Sequence, residues 1–294
     1  MPTEDDAIGG VRILRSLASL RATVAALRAS RPGLRIALVP TMGALHEAHL
    51  RLCDQAHALA DVVIVSIFVN PQQFAAHEDL DSYPRSLEAD CAKLARRDVD
   101  WVFAPSVAEM YPLGFQTRVE VPALAAGLCG VSRPHFFAGV ALVVLKLLNA
   151  VMADVAVFGE KDWQQLQVVR RLAGDLNHPT EVVGAPLLRD DDGLALSSRN
   201  VYLSPAERQR ALSLGQSLRA SVNLVAAGQT DAAPLIAAAT AAITAAGGVV
   251  DYVAIVDPLE LTAVTTIEAE VRMLVAATFG KTRLIDNRAL LPAG

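Results

Sequence analysis

The 294 residues are 53% apolar and 19% charged with a formal charge of −5, enough to bury a large core and too apolar for a disordered chain. That acidic balance, without a Lys/Arg stripe or interleaved aromatics, argues against a nucleic-acid surface. Cys53, Cys91 and Cys129 form no CxxC pair, Glu4-Asp5-Asp6 does not begin a secretory leader, and the apolar stretch Phe136 to Phe158 is broken by Lys146, Asn149 and Asp154, so a reducing compartment, the cytoplasm, and no membrane span are expected.

In chain order, Val11 to Ala29 reads as a helix from the spacing of Leu14, Leu17, Leu20, Val24 and Leu27, ended by Arg31-Pro32-Gly33. Ile36 to Val39 is a short aliphatic run suited to a buried parallel strand, stopped by Pro40. A small-residue turn at Gly43 leads to a helical rhythm at Leu45, Leu52, Ala56 and Leu59. Asp61 to Asn70 is a second, near-continuous apolar strand, closed by Pro71-Gln-Gln-Phe74, and a helix ending near Arg97 precedes a third strand at Asp100 to Ala104. Gly139 to Val151 reads as a core helix, Asp154 to Phe158 as a strand, Trp163 to Leu176 as a helix and Thr180 to Leu188 as a strand.

This alternation predicts an α/β fold with a parallel sheet covered on both faces and ligands at the carboxyl ends of its strands. The character changes near Leu188, so two domains are expected, 1–187 and 188–294. The second is a small mixed unit of two Ala-rich helices (Pro205 to Ala227, Ala232 to Ala246) and three strands (Val249 to Val256, Val271 to Ala277, Thr282 to Asp286).

His46 and His49 fall three apart in the first turn of the helix after the first strand. Metalloprotease zinc histidines sit four apart with a glutamate between them and a further ligand downstream. The spacing here suits imidazoles donating to phosphate oxygens at a helix N-terminus, with surface or capping histidines as the plain alternative. Gly159-Glu-Lys-Asp162 reads as a strand end delivering the Lys161 cation, with a plain helix entry capped by Asp162 as the alternative. Ser197-Ser-Arg199 pairs hydroxyls with a guanidinium, as a triphosphate would need. Gln73 and Gln165 carry amides able to read hydroxyl and carboxylate oxygens, and Asp79, Asp81, Asp90 and Asp190 to Asp192 are turn carboxylates of which one or two suffice to assist a Mg²⁺ held by phosphates.

Together, Pro40-Thr-Met-Gly-Ala-Leu-His-Glu-Ala-His49, Phe68-Val-Asn-Pro-Gln-Gln-Phe74, Tyr83-Pro-Arg85, Phe158-Gly-Glu-Lys-Asp162 with Gln164-Gln165, and Asp192-Gly-Leu-Ala-Leu-Ser-Ser-Arg-Asn200 closely resemble the pantothenate synthetases (pantoate–β-alanine ligases), and the likeness continues to Thr282-Arg-Leu-Ile-Asp-Asn287. The resemblance implies a Rossmann-like nucleotidyltransferase domain with an HxGH-type ATP signature, a C-terminal lid and a homodimer. It also implies an AMP-forming reaction in which ATP, Mg²⁺ and pantoate give pantoyl adenylate and β-alanine then displaces AMP.

By that resemblance Met42, Gly43, Ala44, Leu45, His46, Glu47, Ala48 and His49 line the ATP site, with His46, His49 and Lys161 catalytic and His49 where the family places an acid. Gly159, Glu160, Asp162, Leu188, Leu196, Ser197, Ser198 and Arg199 complete the nucleotide contacts. Gln73, Gln165 and Asn70, with Tyr83, face pantoate, and Asp90 assists the Mg²⁺. Three positions depart from the family pattern: Ala48 stands where a glycine is usual, Cys129 where an acid is common, and Arg133-Pro-His-Phe-Phe137 replaces Arg-Pro-Gly-His-Phe. A related acid–amine ligase with another substrate, or a weakly catalytic ATP-binding paralogue, are the alternatives.

Overall fold

The computed structural model describes residues 7–74, 80 and 86–292; Tyr83, Arg85, Asp79, Asp81 and the acidic start lie outside them. The elements are β1 (Ala7–Ile8), β2 (Val11–Leu14), α1 (Leu17–Ser30), β3 (Ile36–Thr41), α2 (Glu47–Leu59), β4 (Val62–Ile67), α3 (Leu87–Ala95) and β5 (Trp101–Phe103). Three four-residue helices follow, α4 (Val107–Met110), α5 (Pro122–Ala125) and α6 (Cys129–Ser132), then α7 (Phe136–Val151), β6 (Val155–Gly159), α8 (Trp163–Asp175) and β7 (Glu181–Ala185). The chain continues through α9 (Pro205–Ala226), α10 (Ala232–Ala245), β8 (Val249–Val256), β9 (Val271–Phe279) and β10 (Thr282–Leu290).

These form two compact units. The first takes residues up to Pro122, Arg133–Glu160 and Val168–Ala185; the second takes Ala123–Ser132, Lys161–Gln167 and the residues from Pro186 onward. Neither is a single run of sequence, unlike the expected division at 187/188.

In the first unit a seven-stranded sheet runs β1-β2-β5-β4-β3-β6-β7, parallel except for β1. Alternate strand residues define its two faces. Val11, Ile13, Ala37, Val39, Val63, Val65, Val155 and Val157 pack with Leu52, Cys53 and Ala56 of α2 and Cys91 and Leu94 of α3. Ile36, Leu38 and Ile64, also fully buried, point the other way, where α7 meets both β3 and α1. From β3 the chain runs to β4 and β5 on one side, while β6 and β7 lie on the other, so strand order reverses between β3 and β6. In doubly wound sheets ligands bind at such a reversal, and the loops leaving β3 and β6 open there.

Two local expectations change. Val11–Leu14 is a strand beside β5 rather than the start of a helix, and the helix begins only after Ser16, whose side chain accepts from Ser19 N. Pro40 does not end β3: Pro40 and Thr41 stay in register with Ser66 and Ile67 of β4, while the ladder with β6 covers only Ala37 and Leu38, so the missing proline N–H interrupts no pairing on that side.

The second unit is an antiparallel sheet, β10-β9-β8, packed against α9 and α10. Its core joins Leu214, Leu218 and Ile243 to Met273, Val275 and Phe279. Among the described residues no helix is long and apolar enough to cross a membrane.

Candidate active site

The loop after β3 holds a conformation that its own sequence does not favour. Gly43 has φ +83° and Ala44 φ +51°, and a non-glycine residue in this left-handed region costs about 1–2 kcal/mol. Side chains from elsewhere hold it. Gly43 N donates to Thr41 Oγ1 (3.2 Å), Ala44 N to Asp90 Oδ2 (2.9 Å) and Leu45 N to Asp90 Oδ1 (2.8 Å), while Lys93 Nζ donates to Leu45 O (2.6 Å). A Cβ on Gly43 would lie 3.0 Å from Asp90 Oδ2 and 3.1 Å from Ile67 Cγ2, so only glycine lets the carboxylate come this close. Asp90 is 2% exposed, and burial raises its pKa against the pull of the two amides and Lys93. Each Asp90 oxygen accepts one loop amide, so the carboxylate fastens the turn.

The histidines complete the turn. His46 N donates to His49 Nδ1 (3.3 Å). An imidazole nitrogen that accepts carries no proton, so neutral His49 bears its proton on Nε2 and presents it as a donor. The two rings lie with centroids 4.1 Å apart and planes tilted by 41°. Among the described residues Glu47 N and Ala48 N, at the first two positions of α2, meet no acceptor. The expected seat of open amides is therefore confined to these two groups, because Ala44, Leu45 and His46 donate within the protein. The Glu47 carboxylate turns to Arg97 (2.7 Å), which also holds Asp54 (2.9 Å).

Beside this loop, Gln73 Nε2 lies 3.0 Å from Met42 Sδ, and Asn70 Nδ2 donates to Gln73 Oε1 (3.1 Å) and Gly139 O (3.0 Å). Asn70 Oδ1 accepts from Gln72 N (3.2 Å) and from the Tyr111 hydroxyl (2.8 Å). All four bonding capacities of the Asn70 amide are thus used inside the protein and the residue is 1% exposed. Gly139 permits the approach of this segment to α7, since a Cβ there would stand 2.3 Å from Gln72 O.

In the second unit, Lys161 sits in the 3-10 turn Glu160–Asp162 with its Nζ 3.8 Å from Asp162 Oδ2. Its carbonyl accepts from Asn287 Nδ2 (2.9 Å), and Asn287 Oδ1 accepts from Arg272 Nε (2.8 Å). The Arg272 guanidinium lies 3.6 Å from the Trp163 ring centroid. This gives the Thr282–Asn287 motif a structural purpose: it clamps the Lys161 turn. Gln164 is buried, accepting from Cys129 N and donating to Leu124 O and Gly127 O, whereas Gln165 is half-buried.

Further along, Leu196 N donates to Leu188 O (3.0 Å), closing a small hairpin. Arg189 makes a two-pronged bond to buried Asp286 (2.6 and 2.9 Å). Asp190 and Asp192 both bind Arg208, so these carboxylates brace the hairpin. Ser197 Oγ accepts from Arg199 N (3.3 Å) and caps the 3-10 turn Ser198–Tyr202. Among the described residues no three His, Cys, Asp or Glu side chains cluster to hold a metal.

A family model described as Pantoate-beta-alanine ligase matches residues 12–289. The chain belongs to the pantoate–β-alanine ligase family. It is 52% identical over 285 residues to the pantothenate synthetase of Caulobacter vibrioides, covering 95% of this chain and 98% of that one. It is 50% identical over 281 residues to that of Myxococcus xanthus, covering 95% and 96%. Among solved structures, the pantothenate synthetase of Thermus thermophilus superposes with a TM-score of 0.89 at 45% identity, covering 95% of this chain and 99% of that one. The pantoate-beta-alanine ligase of Francisella tularensis, complexed with beta-gamma ATP and beta-alanine, superposes with a TM-score of 0.79 at 34% identity, covering 96% and 97%.

Within this ligase family fold, the first unit brings together Met42, Gly43, Ala44, Leu45, His46, Ala48, His49 and Gln73, and Gly159 and Glu160 belong to the same unit. The second unit carries Lys161, Asp162, Gln165, Leu188, Leu196, Ser197, Ser198 and Arg199. The sequence reading missed Lys93, Gly139 and Tyr111. Gly139 carried a usable signal, because an interior helix glycine costs about 1 kcal/mol relative to alanine and generally marks a close approach.

Proposed function

We propose that this chain condenses pantoate with β-alanine in an ATP-dependent reaction through pantoyl adenylate. The match to the ligase family over residues 12–289 carries this reading, and the local geometry agrees with it. A pantoate carboxylate oxygen attacks the α-phosphorus and pyrophosphate leaves. The β-alanine nitrogen then attacks the acyl carbon, the acyl C–O bond to phosphate breaks, AMP departs and the amine gives up a proton.

In this reading the His49 Nε2–H and the amides of Glu47 and Ala48 meet phosphate oxygens, with His46 beside them. Lys161 offsets the charge that builds on the α-phosphate, and Ser197, Ser198 and Arg199 bind the triphosphate. Met42, Leu188 and Leu196 flank the nucleotide. Gln73 and Gln165 hold pantoate. Charge-assisted hydrogen bonds of about 1.5–3 kcal/mol each, aimed at the pentavalent phosphorus, together with positioning of the two reactants, provide the catalysis.

The donor set does not suit a metal held by protein side chains alone, since Asp90 is committed to its loop. Mg²⁺ fits as a companion of the ATP phosphates, where few protein ligands are needed. A homodimer in the cytoplasm completes the reading; the buried free thiols suit a reducing compartment.

The test is exchange of labelled pyrophosphate into ATP. Exchange that requires pantoate, followed by AMP release on adding β-alanine, is the expected result. Exchange independent of pantoate would overturn the substrate assignment, and a different acid or amine supporting turnover would favour the related ligase.

A further inference from the structure

We propose that Tyr111 is a positioning residue for the pantoate subsite, bracing Asn70 so that the Gln73 amide is held firmly with its donor end toward the substrate. The inference rests on the reading of Gln73 as a pantoate-binding residue and adds how that residue is set. An amide side chain has an accepting and a donating end that are nearly isosteric, so its orientation follows from the polarity of its partners.

For Asn70 two of those partners have fixed polarity. Gln72 N can only donate and Gly139 O can only accept, at 3.2 and 3.0 Å. Oδ1 therefore faces Gln72 N and the Tyr111 hydroxyl, and Nδ2 faces Gly139 O and Gln73 Oε1. The polarity passes one residue further. Gln73 must accept at Oε1, so Nε2 is the end it offers outward, next to Met42 Sδ at 3.0 Å, a weak acceptor that a substrate oxygen readily replaces. Gln73 thus presents a donor, and the group it recognises on pantoate is an oxygen acceptor, a carboxylate or a hydroxyl lone pair.

Tyr111 is suited to hold this chain of bonds. Its ring lies 6.1 Å from Phe68 and 5.3 Å from Phe115 between centroids, and Lys146 Nζ stands 5.8 Å from its ring centroid. The phenol stays protonated, because burial raises its pKa, so its hydroxyl remains a donor throughout the working pH range. The main chain adds a second restraint, as Arg133 Nη2 donates to Gln73 O (3.1 Å). Without the hydroxyl, Asn70 keeps its backbone partners but loses one of two bonds to Oδ1, and the Gln73 amide is held less firmly in its donor-outward state.

Tyr111→Phe keeps the ring and deletes the hydroxyl. The expected outcome is a rise of about ten-fold in the pantoate KM, the scale of one lost hydrogen bond, with the ATP KM changed by less than about two-fold. In a Gln73→Ala background the same substitution should add nothing, because the two residues act as one unit. An unchanged pantoate KM, or an equal further loss in the Gln73→Ala background, overturns the proposal. Asn70→Asp, which keeps the shape but has no donor for Gln73 Oε1, gives an independent reading if Tyr111→Phe folds poorly; its pantoate KM should rise likewise, and an unchanged value overturns the proposal. Failure of the underlying reading looks different. Wild-type exchange would then not depend on pantoate, or Gln73→Ala alone would leave the pantoate KM unaltered.

Discussion

Replacing Asp90 with alanine removes the acceptor for two backbone N–H groups at once, those of Ala44 and Leu45 at 2.9 and 2.8 Å. Charge-assisted bonds of this kind are worth about 1.5–3 kcal/mol each, a gross loss of about 3–6 kcal/mol. Ala44 keeps its left-handed backbone, costing about 1–2 kcal/mol, with little left to hold it. The loop then relaxes rather than bearing the whole loss, and His46 and His49 leave their alignment. Pantoate-dependent pyrophosphate exchange should fall at least about 100-fold, equivalent to about 2.7 kcal/mol of transition-state stabilisation, while far-UV circular dichroism stays unchanged. A Mg²⁺ titration separates this role from metal binding. If Asp90 were a ligand, raising Mg²⁺ would restore activity; for a residue that fastens the loop it would not. Near-normal exchange by Asp90→Ala, or rescue by Mg²⁺, refutes the reasoning.

Other outcomes follow from single contacts. Ala48→Gly clears a methyl from beside one of the two open amides and should tighten ATP binding by about two- to five-fold in a calorimetric titration, for a helix-propensity loss under about 1 kcal/mol; unchanged affinity would show that the methyl does not crowd the nucleotide. Gly139→Ala places a Cβ 2.3 Å from Gln72 O and should destabilise by about 1–3 kcal/mol in urea unfolding while raising the pantoate KM. Burial lowers the His178 pKa, so protonation favours the unfolded chain. Its contribution to stability is present above the ordinary imidazole value near 6.5 and is lost as pH falls through the lowered one. Wild-type protein should therefore lose more stability than His178→Asn between pH 7.5 and 5.5, and parallel losses would refute this.

The parallel strands were legible because aliphatic runs bounded by turn residues leave few alternatives, and the HxxH turn because it follows one of them. Val11–Leu14 was not: its apolar residues join the spacing of Leu17 and Leu20, and only the cap at Ser16 separates strand from helix. Motif positions showed which side chains carry chemistry but not what aims them. Asp90 reaches Ala44 across 46 positions, Tyr111 reaches Asn70 across 41, and Asn287 reaches the Lys161 carbonyl across 126. Such partners are selected by the fold, and no periodicity encodes them. Asn70 shows this most plainly, since the sequence does not reveal that Tyr111, Gln72, Gln73 and Gly139 all bond to its amide.

The thiols have a practical consequence for labelling. Cys53 of α2 and Cys91 of α3 lie in the core, where burial pushes Cys53 up to about 12 and Cys91 up to about 11. Burial thus keeps both thiols protonated at neutral pH, and the thiolate is the form that reacts with maleimides and peroxides. Cys129 is buried too. A cysteine introduced at fully exposed Leu113 would react far ahead of the native ones, so a fluorophore can be attached there without stripping the chain of its own sulfur.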